Sequence, residues 1–208
     1  MKFAKLAAII AVAMAAPSSA TMVFDGSTLA RTASGFFGVN GGALGRYTFA
    51  SATTISSFST LYALGAPANL TFRIYDSTVG TLLFTSASKA FSADASSNIA
   101  DATFKKSDLL SFTFQPGTIY AIGAITDSTD ARVIGSSQTK TEGGISALLG
   151  NQNVNNGVFS TGQACCAVAA QFFVGETSTI PEPMSWSLML VGFAMVGSVA
   201  RRRSAVTA

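Results

Sequence analysis

The chain has 208 residues, of which 49% are hydrophobic and 11% charged, with no histidine and a formal net charge of +3. That length suffices for one domain with a buried core, while the charged share falls well below the roughly 25% of an ordinary soluble domain. The positive balance does not make a nucleic-acid surface. Lys2, Lys5, Arg201, Arg202 and Arg203 stand at the two ends, and between Thr21 and Ile180 eight basic residues meet nine acidic ones, a balance of −1; such a body offers phosphates no basic patch.

In chain order, the first element is an export signal. Lys2 and Lys5 supply a positive start, Leu6 to Ala16 an apolar run, and Pro17-Ser18-Ser19-Ala20 a small-residue cleavage site, which together make a secretory signal peptide over residues 1–20. Cleavage is expected between Ala20 and Thr21. The apolar run is too short for a membrane span, which needs about 20 residues.

Residues 21–178 read as an all-β ectodomain. In "NLTFRIYD", Leu70, Phe72 and Ile74 fall on one face and Thr71, Arg73 and Tyr75 on the other, the two-residue period of a half-buried strand. "GRYTFAS" alternates Tyr47 and Phe49 with Arg46 and Thr48. "LSFTFQPGTIYAIGAIT" reads as two strands about a turn at Gln115-Pro116-Gly117, and "GTLLFTS" and "CCAVAAQFFV" are further strand candidates. Asn40-Gly41 and Asn156-Gly157 are turn signals. The expected fold is an antiparallel β-sandwich or jelly roll of about eight to ten strands. The "LTFRIYD" strand with the "PGTIYAIG" hairpin is similar to jelly-roll domains of exported bacterial surface proteins, a resemblance that implies fold and not function.

Residues with chemistry are few. Without histidine there is no Ser-His-Asp triad, Cys-His pair or imidazole metal site, and no cofactor or metal is expected. Cys165 and Cys166 are adjacent. Neighbours in a strand point to opposite faces, so three readings stand: one buried and one surface thiol, a disulfide between the two, or a link to another chain. Asp127 and Asp130 of "DSTD" read as a solvated turn, with a calcium-binding sandwich edge as the alternative; Asp94 and Asp101 read as loop residues. Asn69-Leu70-Thr71 is a glycosylation sequon inside a strand. "GVNGGALG" runs into a strand and lacks phosphate-loop spacing. Tyr62 and Tyr75 are the candidate sugar-stacking platforms.

The last element, residues 179–208, is a membrane-directed tail. Pro181-Glu182-Pro183 is followed by Trp186, and Met184 to Ala200 is a run of 17 uncharged residues closed by Arg201, Arg202 and Arg203. As a helix this run measures about 26 Å, close to the roughly 30 Å of a hydrocarbon core, so a single transmembrane helix is expected. Trp186 suits the outer interface and the arginines the cytoplasmic side, the orientation the export signal also requires. The prolines keep the tripeptide out of helix and sheet hydrogen bonding. Motif order and position resemble the PEP-CTERM protein-sorting signal, in the variant that carries Trp after the tripeptide; Ser187 stands where that variant usually has alanine. The resemblance covers about the last 28 residues. It implies processing near Pro181–Pro183 by an exosortase, a Gram-negative host that makes extracellular polysaccharide, anchoring in the inner membrane with the body in the periplasm, and later a place at the cell surface or outside it.

The function expected from these readings is a non-enzymatic surface or matrix protein, associated with exopolysaccharide and biofilm. The alternative is a carbohydrate-binding jelly-roll module, calcium-assisted; a hydrolase with an unrecognised Ser or Asp site is the third reading.

Overall fold

The computed structural model describes residues 19–29, 31, 33–164 and 166–176. The chain separates into two compact units, Met1–Thr177 and Ser178–Ala208, and every described residue belongs to the first. These residues form sixteen strands: β1 (Thr21–Asp25), β2 (Ala33–Phe36), β3 (Gly42–Phe49), β4 (Thr53–Ile55), β5 (Ser57–Leu64), β6 (Ala68–Asp76), β7 (Leu82–Phe91), β8 (Thr103–Lys106), β9 (Phe112–Phe114), β10 (Tyr120–Thr126), β11 (Ala131–Ser136), β12 (Lys140–Glu142), β13 (Ile145–Asn155), β14 (Val158–Gln163), β15 (Ala167–Val168) and β16 (Ala170–Val174). Helical backbone among the described residues is confined to two three-residue 3₁₀ turns, Gly26–Thr28 and Ile99–Asp101. None of their helices is long and apolar enough to cross a membrane; the span expected over Met184–Ala200 lies outside them, as does the signal peptide up to Ser18.

Two seven-stranded sheets make the body. The first runs β1-β16-β5-β11-β15, with β2 also on β11 and β8 also on β5; the second runs β12-β13-β3-β10-β6-β7, with β14 also on β13. β4 and β9 pair separately. The pairings are antiparallel, as for β10 with β3 and β6 and for β16 with β1 and β5.

Sixteen strands exceed the eight to ten expected because single runs change partner. "CCAVAAQFFV" is one such run. Ala169 breaks it: its N–H donates to the Ile134 carbonyl and its carbonyl accepts from Leu61 N–H. Upstream, β15 pairs with β11; downstream, β16 pairs with β5. The alternation read in "NLTFRIYD" is present. Leu70, Phe72 and Ile74 are fully buried between the sheets, and Asn40 and Asn156 take the positive φ values that their turns need.

The core lies between the sheets. Phe24, Phe58, Tyr62, Leu64, Val168 and Phe172 come from the first sheet, and Tyr47, Phe49, Phe72, Ile74 and Ile122 from the second. Phe172 sits at its middle, edge-on to Tyr47 at 5.0 Å and within ring contact of Phe24 and Phe58. Two buried phenols cross the gap in opposite directions. Tyr47 of the second sheet donates to the Val168 carbonyl of the first, and Tyr62 of the first donates to the Ala124 carbonyl of the second at 2.5 Å. Burial pushes both phenol pKa values up, so both hydroxyls keep their protons and remain donors.

Truncating the central ring tests this packing. Phe172→Ala is expected to cost about 3–5 kcal/mol, the range for emptying a buried aromatic site, while Val158→Ala, at a residue 71% exposed, stays within about 0.5 kcal/mol. Urea denaturation of the two variants measures the contrast.

Candidate functional site

The two ends of the body have different chemistry. At one end the first and last strands meet: Thr21 pairs with Val174 and Met22 with Phe173, before a bulge shifts the register at Phe24. Ser19 and Ala20 are exposed and the first strand begins at Thr21. Strand β16 leads out beside it and is held there. Glu176 donates its N–H to Ser56 Oγ at 3.1 Å, and its carboxylate accepts from Lys106, whose ammonium lies 4.2 Å from the Phe173 ring centre. Burial pushes the Glu176 carboxyl up, but the Lys106 hydrogen bond and charge outweigh it and leave the pKa below the usual carboxylate value.

A second charged cluster ties β1 to β12 at this same end. Glu142 accepts from Asp25 N–H at 2.8 Å, and Lys140 lies 2.8 Å from the Glu142 carboxylate and donates to Thr28 Oγ1. The Gly143 turn between β12 and β13 sits so close to β1 that a Cβ there would lie 2.2 Å from the Val23 carbonyl oxygen, and its φ is +56°; only glycine satisfies both conditions.

The opposite end carries a cavity. Phe37, Ala43, Val133, Asn153, Cys166 and Val168 border a hollow of about 190 Å³ where the two sheets part. Asn151 organises its wall. Its N–H donates to the Cys166 carbonyl, its own carbonyl accepts from Ala164 N–H, and its side-chain oxygen accepts from Cys166 N–H at 3.2 Å. Its Nδ2 donates to Asn153 Oδ1 at 2.9 Å.

The predicted site residues divide accordingly. Ala20 and Thr21 stand at the chain-exit end. Pro181, Glu182, Pro183, Trp186, Arg201, Arg202 and Arg203 lie outside the described residues, as does Cys165. Cys166 is buried and disulfide-bonded. Asp127 and Asp130 are exposed, as a solvated turn requires, and Asp127 accepts from Asn69 N–H at 2.8 Å and from Asn69 Nδ2 at 2.7 Å, which also occupies the sequon asparagine. Those bonds pull the Asp127 carboxyl below its usual pKa against some desolvation. No group of three or more Cys, Asp or Glu among the described residues is placed to hold a metal ion.

Neither tyrosine read as a stacking platform is available. Tyr62 is fully buried, with its hydroxyl used across the core. Tyr75 is covered by the β13–β14 hairpin, whose Phe159 stacks on it at 4.3 Å. Sequence reasoning missed this cover because the hairpin folds over the outer face of the second sheet, a contact between residues 84 positions apart.

Asp94, read as a loop residue, forms the most buried ion pair among the described residues. Its carboxylate lies 2.7 Å from Lys105 Nζ, with the two side chains 6% and 8% exposed. It also accepts from Thr103 Oγ1 and from Leu64 N–H. Burial pushes the carboxyl up; the bonds from Lys105, Thr103 and Leu64, together with the Lys105 charge, more than reverse this and hold it below its ordinary value of 3.8.

No family model and no curated protein matches the chain.

The ion pair yields a pH prediction. A carboxyl whose pKa is lower in the folded state contributes stability above its ordinary pKa and loses it as pH falls. The Asp94–Lys105 contribution is therefore complete at neutral pH and declines below about 3.8. Asp94→Ala, which strands a buried ammonium, is expected to cost about 3–5 kcal/mol at neutral pH, and Asp94→Leu combined with Lys105→Met to recover most of that loss. Denaturation curves taken across the acid range check both statements, since the double variant should also lose this part of the acid limb.

Proposed function

We propose that the chain is an exported surface or matrix protein whose β body is carried between two membrane-directed labels. Residues 1–20 export it and are removed at Ala20–Thr21. Residues 184–200 then hold it as a single transmembrane helix with Arg201 to Arg203 on the cytoplasmic side, and Pro181-Glu182-Pro183 presents the junction to an exosortase. The body, a double-sheet domain of the jelly-roll kind, serves as a structural and contact module outside the cell membrane, in association with extracellular polysaccharide, and performs no catalysis.

The observation that carries this reading is the pairing of the first strand with the last. Thr21 opens β1 directly after the expected cut, and it lies opposite Val174, two residues before the final clamp at Glu176. A membrane label on either side of the body therefore attaches at one end of it. The described strands begin at Thr21, so cleavage after Ala20 leaves every one of them intact, and holding the chain by residues 184–200 tethers the body by that same end. The linker from Glu176 to Pro181 spans at most about 18 Å when extended.

Two measurements test the reading. N-terminal sequencing of the exported protein is expected to begin at Thr21; a mature chain that retains Met1 to Ala20 overturns the export half. A secreted reporter fused to residues 176–208 is expected in the membrane fraction, and Arg201, Arg202 and Arg203 replaced together by alanine are expected to reduce its retention severalfold. A fusion that fractionates as free periplasmic reporter overturns the sorting half.

A further inference from the structure

We infer that the cavity at the end of the body remote from Thr21 and Val174 is a binding site for one neutral sugar ring, of the kind found at the tip or along the side of a polysaccharide. No charged side chain among the described residues borders it, so they select neither an anion nor a cation. Its volume of about 190 Å³ is below the roughly 300 Å³ at which pockets for drug-sized molecules begin; it accommodates a single ring and not a chain of them. Its walls are unlike one another. Phe37, Ala43, Val133 and Val168 present carbon on several sides, while Asn151 and Asn153 bring amides to one edge. A pyranose has this same division, with an apolar C–H face and hydroxyls around its rim. A hydrocarbon would leave the amides without use, and a fully polar solute would leave the carbon walls in contact with polar groups.

The donor is set by the hydrogen-bond network. Asn151 accepts from Cys166 N–H and donates to Asn153 Oδ1. That contact turns the Asn153 amide so that its Nδ2, with two N–H donors, faces away from Asn151. No described residue accepts from Asn153 Nδ2, and Asn153 is only partly buried, so its N–H groups are open to a ligand hydroxyl.

The hollow exists because two glycines border it. A Cβ at Gly35 would lie 3.3 Å from the Phe37 ring, and one at Gly135 would lie 2.7 Å from the Ala167 carbonyl oxygen. With hydrogen at both positions the Phe37 ring lies over β2 and the wall at Cys166 approaches β11. Phe37 thereby takes the part that Tyr62 and Tyr75 cannot, as a partly buried ring that packs on the core and borders the hollow. Strand β16 and its upstream neighbour β15 run from this cavity to the exit end. The binding does not depend on the proposed anchoring.

Saturation-transfer NMR and titration calorimetry on the full chain, with glucose, galactose, mannose and rhamnose as probes, test the site. At least one sugar is expected to bind, with transfer strongest to its ring C–H protons. Asn153→Ala removes the donor, and Ala164→Trp places an indole at the exposed mouth; each is expected to weaken binding about tenfold, the loss that accompanies one hydrogen bond or one blocked contact. Val158→Ala, on exposed β14, should leave it unchanged. Thermal melts confirm that each variant is folded. Absence of binding by every sugar up to about 10 mM, affinity in the two cavity variants equal to that of the unsubstituted chain, or entry of toluene with exclusion of all the sugars would each overturn the site. Reporter fractionation is unaffected by any of these results, so this inference and the proposed sorting fail separately.

Discussion

Phe172 couples the two sheets, and most other features of the body follow from the strand that carries it. Its ring meets Phe24 and Phe58 from its own sheet and Tyr47 and Phe49 from the facing one. Burying rings of this size supplies the largest apolar gain per residue available to a chain. The buried phenols add direction to that gain, since Tyr47 and Tyr62 each reach a carbonyl of the opposite sheet. A hydrogen bond that must be made in a dry interior costs more to lose than it contributes when formed. The two sheets are therefore held at one separation and in one register. The same strand runs on to the exit at Val174, and its upstream neighbour β15 runs back to the cavity at Val168. Both ends of the body are positioned by what happens at its centre.

The few charges serve as rivets between segments. Asp94 and Lys105 join the segment after β7 to β8, Lys106 and Glu176 hold the last described residue against the first sheet, and Lys140, Glu142 and Asp25 join the two sheets at the exit end. Asp94 with Lys105, Glu176 with Lys106, and Asp25 with Lys140 and Glu142 each link segments that are not neighbouring strands. The Asp94–Lys105 pair carries a desolvation cost that its own attraction offsets only with help from Thr103 and Leu64 N–H. Asp127, the leading carboxylate of the "DSTD" turn, is bonded to Asn69.

Legibility in the sequence followed the range of the interaction concerned. The alternation of Leu70, Phe72 and Ile74 is a property of adjacent residues in an extended chain, and it located the core face of β6. The turns at Asn40-Gly41 and Asn156-Gly157 depend on local backbone freedom and were equally plain. Partner changes were hidden, because Ala169 has nothing in its side chain to show that its strand leaves β11 for β5. Tyr75 was misjudged for the same reason: its neighbour Phe159 arrives from a distant hairpin. The cavity had no signature at all. Gly35, Gly135, Asn151 and Asn153 are ordinary strand residues until three separate strands bring them to one rim.

The sequence by itself determined that the body is built of strands, that it is nearly neutral, and that its outer segments differ in composition from everything between them. Those properties are written in local patterns of side-chain polarity, which act wherever the chain happens to be. Only the tertiary structure decided that Thr21 and Val174 lie side by side, that the tyrosines are buried, and that the hollow opens at the far end. These are consequences of strand pairing between residues far apart in the chain, and pairing of that kind is chosen by the packing of the whole core, with no single stretch holding the instruction.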